Sequence, residues 1–465
     1  MRFYSLKPQC SLCGWIGMPY ALRCKDHIRR LERDTFNALV LCDGQRDFDT
    51  IQINDNIQHA LLFFEKEGIV EFHDEPRLLQ PDQYYRFYDV RYFQNVLWSI
   101  TGKCNYKCRH CYLEAPDAAF GEITTEEAFR IIDQMAACGI CRVELTGGEP
   151  LIRIDFWQLV DRLCEHGITI DQIYTNGWLL TEKTLDNFSA RHIKPEFIIS
   201  FDGIGWHDWM RGIKGAEEDA LRVIRMCKEK DFSVSAEMCI HEGNKHVLRE
   251  SVLKLAAEGV RGIKVSNIVN NDLWLRNSEG REQTIKMYID AMLEYIPHFF
   301  EDGMPIDLML ASIALLRKGS KEYSALAEFD KGTEKCLQRH ICGSARVSCY
   351  IGPDGRLLPC MPIASAKERE QFPKVQDIGL KQAFNDSYYM QYVDRRVKDL
   401  LATCKTCREC PYHLRCGGGC RATAVLYGEK DLMGPDPSRC MMWKEGYLDK
   451  LHTICDAAIR QYCER

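Results

Sequence analysis

Apolar positions recur along the chain at two periods. Over residues 54–66, Ile57, Leu61, Leu62 and Phe64 fall at helical intervals, and Gly68 follows as a stop. A second helical segment, DTFNALVLCDG, is closed by Gly44. Short strand-like pieces lie over residues 3–6 and 21–24, and IVEFH alternates apolar with polar. Sheet and helices in so short a span predict a small winged-helix-like module over residues 1–75. Residues 76–95 carry Tyr, Arg, Asp and two prolines and read as a linker.

The pattern changes over residues 96–300. Six apolar strands, VLWSIT, VELT, ITIDQIYT, FIISFD, FSVSAEMCI and GIKVSN, alternate with helical stretches over residues 125–138, 156–166, 217–230 and 247–257 and one ending near Phe300. Thr124-x-x-Glu127 is a capping box before the first of these helices. Such alternation predicts an α/β fold with parallel βα units. Six units do not close an eight-stranded barrel, so the expectation is an open, partial (β/α)6 TIM-like barrel. Chemistry in such folds sits at the carboxyl ends of strands. The loops KCNYKCRHC, GGEP, TNG and SFDG all fall there. Residues 301–465 form a third, cysteine-rich region.

Composition narrows the class. The 465 residues are 46% hydrophobic and 28% charged with a net charge of −6, as in a soluble globular protein. No basic tract appears, which argues against nucleic-acid and anionic-membrane partners. The most apolar run, residues 308–316, is too short to span a bilayer, and the first residues lack a signal-peptide core. A cytoplasmic location is expected. The 24 cysteines are then not a disulfide framework, because that compartment keeps thiols reduced. Cys138, Cys141, Cys164, Cys227, Cys239, Cys455 and Cys463 are isolated and read as structural thiols. Cys10, Cys13 and Cys24 offer only three thiolates and are expected to stay plain thiols. The clustered remainder read as metal ligands.

Cys104, Cys108 and Cys111 have the spacing C-x3-C-x2-C after the first barrel strand. Iron–sulfur clusters normally take four thiolates; three leave a position open, the mark of a catalytic metal. Zinc is the chief rival, but no close fourth ligand accompanies the triplet. VLWSITGKCNYKCRHCY resembles the opening of radical S-adenosylmethionine (radical SAM) enzymes, with His110 at the place often held by an aromatic. The resemblance implies a [4Fe–4S] cluster whose open iron chelates S-adenosylmethionine, and a 5′-deoxyadenosyl radical that takes a hydrogen atom from substrate. It also implies cofactor contacts from Gly147, Gly148 and Glu149 to the methionine amino group, from Ser200 and Asp202 to the ribose and from Arg211 to the methionine carboxylate. Asn176 is expected on the adenosine side.

Cys407-x2-Cys410-x5-Cys416-x3-Cys420 with Cys440, preceded by Cys336, Cys342 and Gly355-x4-Cys360, resembles the SPASM extension of these enzymes. That resemblance implies two auxiliary [4Fe–4S] clusters, three clusters in all. Cys336, Cys342, Cys360 and Cys420 would hold the first, and Cys407, Cys410, Cys416 and Cys440 the second. Structural zinc is the alternative, and Cys349 and Cys404 leave the register open. Relatives that mature sulfatases carry an aspartate after the third cysteine of the first site; here Met361 stands there. The N-terminal module resembles the peptide-binding chaperone of pyrroloquinoline quinone biosynthesis, a RiPP recognition element that adds a precursor's leader to a sheet edge.

Together these resemblances imply a radical SAM/SPASM peptide maturase. Its partners are a ribosomal precursor peptide bound by its leader and a flavodoxin- or ferredoxin-type electron donor. Its product is a thioether or carbon–carbon cross-link. Peptide epimerisation, maturation of a folded protein such as a sulfatase, and a non-catalytic iron–sulfur DNA-binding regulator are the alternatives. No catalytic acid or base is legible.

Overall fold

The computed structural model describes residues 1–115, 118–428 and 431–463. The N-terminal module pairs β1 (Phe3–Leu6) antiparallel with β5 (Val70–His73). Between them run β2 (Cys10–Ile16), β3 (Met18–Cys24), β4 (His27–Arg30), α1 (Arg33–Val40) and α2 (Asp55–Lys66). The Asn54 side chain caps α2 by accepting from the Ile57 N–H. Leu12, Leu22, Phe36, Leu39, Leu61 and Phe64 close the module's own core.

Two expectations are corrected here. The expected linker contains β6 (Arg86–Arg91), which pairs in parallel with β2 and completes a sheet ordered β4-β3-β2-β6. Its polar, aromatic composition belongs to an edge strand, not to a tether. Cys10 and Cys24 are not plain thiols: they are directly opposed on β2 and β3 and form a disulfide. Opposed positions in a hairpin bring Cβ atoms into bonding range.

The barrel strands are β7 (Asn95–Ser99), β8 (Arg142–Thr146), β9 (Thr169–Thr175), β10 (Glu196–Ser200), β11 (Val234–Ile240) and β12 (Gly262–Asn267). They are parallel and neighbour one another in chain order. Their helices are α3 (Thr125–Ala137), α4 (Phe156–Glu165), α5 (Glu182–Ala190), α6 (His207–Arg211), α7 (Ala216–Glu229), α8 (Leu248–Glu258), α9 (Asp272–Asn277) and α10 (Ile285–Glu301). The Thr124–Glu127 capping box is formed.

The six expected strands are present, but one further strand continues them in parallel at each end, and the sheet is longer still. On one side β13 (Asp307–Leu310), β14 (Ala314–Leu316) and β15 (Tyr323–Ala325) extend it; on the other β16 (Ser348–Ile351) pairs in parallel with β7 and β17 (Leu357–Leu358) follows. Eleven strands run from β15 to β17 without closing among the described residues. One hydrophobic core joins barrel and C-terminal region. The module is tied on by Trp15, whose Nε1 donates to the Cys138 carbonyl at 2.9 Å. No described helix is long and apolar enough to cross a membrane.

Candidate active site and cysteine centres

The loop after β7 is fastened by the GGEP turn after β8. The Gly148 N–H donates to the Thr101 carbonyl at 2.8 Å and the Glu149 N–H to that of Lys103 at 2.9 Å. A Cβ on Gly148 would stand 2.1 Å from the Lys103 oxygen, so only glycine allows this crossing. Held in this way, Cys104, Cys108 and Cys111 border one cavity of about 360 Å³. Burial pushes the Cys104 thiol up to about 12 and Cys111 up to about 11, and the neighbouring thiols add to both. Cys108 is also raised by burial, against the pull of Arg211, whose Nη1 lies 3.7 Å from its Sγ. Thiols raised in this way become thiolates only with a compensating cation, such as iron.

The spacing bears on which metal. Tetrahedral zinc with Zn–S of about 2.3 Å needs sulfurs about 3.8 Å apart. Among the described residues the only group of three or more His, Cys, Asp or Glu with ligand atoms within 4.8 Å of one another is His110, Asp202 and Cys239. The loop cysteines stand wider than a single ion requires, which fits a multi-iron cluster. The His110 group is no rival, since its Asp202 carboxylate is committed to Arg211 at 2.6 Å.

Of the expected cofactor contacts, Gly147, Gly148, Asn176, Ser200 and Arg211 line the cavity. Glu149 and Asp202 lie behind it. Both Glu149 oxygens accept from Thr175 Oγ1 at 2.9 Å, and they also take the N–H groups of Asn176 and Leu151. Burial nonetheless pushes its carboxyl up to about 7. Asp202 accepts from the Cys239 N–H at 3.1 Å. Burial alone would raise it, but Arg211 and His207 hold it well below the usual carboxylate range. Asn176 donates to Asn105 Oδ1 at 2.8 Å, joining the β9 end to the cysteine loop.

The C-terminal cysteines divide into two groups. Cys407, Cys410, Cys416 and Cys440 line one small recess beside Trp443, and the neighbouring Cys404 adds to burial in raising the Cys407 thiol. Burial and then the neighbouring Cys420 raise the thiols of Cys342 and Cys360, and Cys342 adds to Cys360; Cys420 and Met361 reach the main cavity. Cys336 is not brought to them. It is fully buried with Val397 and Leu401, with Cys407 and Leu414 packed against this cluster. Cys349 is a core thiol on β16.

Sequence reasoning missed several cavity residues. Cys239, read as a structural thiol, is on the wall, as are Thr175, Tyr174, Glu237 and Lys264. The signal was present: polar residues recur at every second position of VSAEMCI and GIKVSN. His110 also lines the cavity, and burial lowers its imidazole to about 3.

Comparison with known proteins agrees with this geometry. Residues 98–256 match the model of the radical SAM superfamily. Fe-coproporphyrin III synthase of Methanosarcina barkeri is 31% identical over 46% of this chain and 54% of its own, so the chain spans about half of that relative. PqqA peptide cyclase of Granulibacter bethesdensis is 27% identical over 73% of this chain and 86% of its own. The crystal structure of Streptococcus suis SuiB bound to precursor peptide SuiA has the same fold, with TM-score 0.62 at 15% identity, over 95% of this chain and 100% of that one. Residues 98–256 thus form a radical SAM domain.

Proposed function

We propose that the protein is a radical SAM/SPASM maturase that cross-links a ribosomally made precursor peptide. The observation that carries this is the convergence of Cys104, Cys108 and Cys111 on a cavity whose far wall is Met361 and Cys420 of the cysteine-rich region. A peptide in that cavity lies between a radical source and an electron acceptor. Cys104, Cys108 and Cys111 would hold a first [4Fe–4S] cluster with one iron left for S-adenosylmethionine, and that pair would supply a 5′-deoxyadenosyl radical. Gly147, Gly148, Asn176, Ser200 and Arg211 orient the cofactor at the wall; Glu149 and Asp202 brace them from behind.

The auxiliary clusters rest on Cys342, Cys360 and Cys420, and on Cys407, Cys410, Cys416 and Cys440. Cys336 completes the first set only by leaving its apolar cluster. Clusters held there would accept electrons, and a flavodoxin- or ferredoxin-type donor would reduce the first cluster. The leader docks on β4, which has a partner on one side only. Its unpaired backbone groups accept another strand, and Leu62 and Phe63 of α2 are exposed on the same module. The 27% identity to a PqqA peptide cyclase over most of both chains supports a peptide substrate.

The test is anaerobic reconstitution with S-adenosylmethionine and a precursor encoded beside the gene, read by tandem mass spectrometry. A loss of two hydrogens per link with 5′-deoxyadenosine is expected. Unchanged mass with deuterium taken from solvent indicates epimerisation. DNA binding without 5′-deoxyadenosine indicates a regulator.

A further inference from the structure

The barrel interior below the cysteines is polar and connected. Tyr174 OH donates to Gln172 Oε1 at 3.0 Å and reaches Glu144 Oε2 at 3.4 Å. Asn95 donates to the other Glu144 oxygen at 2.6 Å. Gln172 Nε2 donates to Glu196 at 2.9 Å, and Glu196 lies 3.6 Å from the exposed Arg261. The chain of contacts therefore runs from Tyr174, on the cavity wall, to the outer end of the barrel.

The charges in this interior do not balance. Glu237 has Lys264 at 2.6 Å and Glu196 has Arg261. Glu144 forms no ion pair among the described residues, because Arg142 on the same strand is engaged by Asp171 and Asp26. Burial, then the neighbouring Asp171, raises the Glu144 carboxyl. It is a carboxylate set to receive a proton. Met361 and Cys420 stand on the cavity wall at the first auxiliary cysteines.

We propose that Tyr174 and Glu144 are the proton outlet of the cavity. The role rests on the cross-linking reading. The peptide first gives a hydrogen atom to the 5′-deoxyadenosyl radical. As the peptide radical closes its new bond it loses one electron, to an auxiliary [4Fe–4S] oxidant, and one proton. Tyr174 oxygen accepts that proton while its own phenolic proton passes to Glu144. Two hydrogens leave the peptide in all, and Glu144 holds the proton; Gln172, itself held by Glu196, fixes the Tyr174 hydroxyl beside it.

The experiment measures 5′-deoxyadenosine and cross-linked peptide together in single turnovers of the reconstituted holoenzyme. The wild-type ratio is expected near one. In Tyr174→Phe and Glu144→Gln it should rise at least fivefold, because a radical that cannot shed its proton is quenched to unmodified peptide. A purely structural role lowers both products together and leaves the ratio within twofold, which overturns the proposal. A second arm needs no variant. The ratio for the wild-type enzyme should rise on acidification, beginning above the ordinary carboxyl range, as Glu144 protonates among Asn95, Arg142, Asp171, Tyr174, Glu237 and Lys264. A ratio unchanged from pH 8 to 5.5 overturns it even if the variants lose iron. Wild-type enzyme that makes 5′-deoxyadenosine but no peptide two hydrogens lighter refutes the cross-linking reading, and this role with it.

Discussion

Replacing Arg211 with methionine strands a buried charge. Arg211 Nε and Asp202 Oδ2 are 2.6 Å apart, and Asp202 is fully buried. Removing one partner of such a pair costs about 3–5 kcal/mol, because the other charge stays out of water uncompensated. Arg211→Met should lower the unfolding free energy by about that amount. The double variant Asp202→Asn/Arg211→Met should recover most of it, since no charge is left behind. The pH dependence carries a second signature. In the wild type Arg211 overcomes burial and holds Asp202 well below its ordinary range. That stabilisation is present above the unfolded value of about 4 and is lost only as pH falls through the lower folded value. Asp202 thus contributes no slope between pH 5 and 8. Without Arg211 burial prevails and the folded value rises above the unfolded one, so the single variant gains stability as pH falls from 8 towards 5. Anaerobic guanidinium unfolding, followed by the buried barrel tryptophans Trp98 and Trp274, reads both effects. A single variant within 1 kcal/mol of wild type, a flat variant profile, or a double variant as weak as the single would refute the reasoning.

Other predictions concern the loop, the module and the metal content. Gly148→Ala drives a Cβ into the Lys103 carbonyl, so reconstituted protein should lose the iron of the first cluster, seen as about four fewer irons per chain. Cys440→Ala should likewise lose about four irons, whereas Cys349→Ala, in the core of β16, should keep the full content. Reducing Cys10–Cys24, which closes a short loop of sequence separation 14, should destabilise the N-terminal module by up to about 3 kcal/mol, measured by Trp15 fluorescence with and without dithiothreitol. Leader peptides N-methylated at alternate residues should bind at least tenfold more weakly in one register than in the other by fluorescence polarisation, as strand addition to β4 requires.

The parallel barrel was legible because each of its strands is an apolar run followed by a turn or a capped helix, as with Thr124 before α3. What sequence periodicity did not mark was set by distant contacts. β6 is polar and aromatic, and it is a strand because β2 supplies its partner. β4 is HIRR, exposed except at Ile28, and is defined by its pairing with β3. α5 lies between two strands that were read as consecutive. The cysteine spacing marked the loop triplet and the Cys407–Cys440 group, which need only local chain geometry. It did not mark Cys336, whose side chain is drawn into the Val397–Leu401 cluster by burial. The cavity floor was hidden for a similar reason: Glu144, Tyr174 and Lys264 come from three strands and meet only when the sheet curls.

Because β16 lies in register beside β7, the cysteine-rich region is a continuation of the barrel sheet, with no joint between them. The separation between the two ends of the cavity is then fixed by backbone hydrogen bonds spaced as in any sheet. A substrate cannot be admitted by swinging one half away from the other.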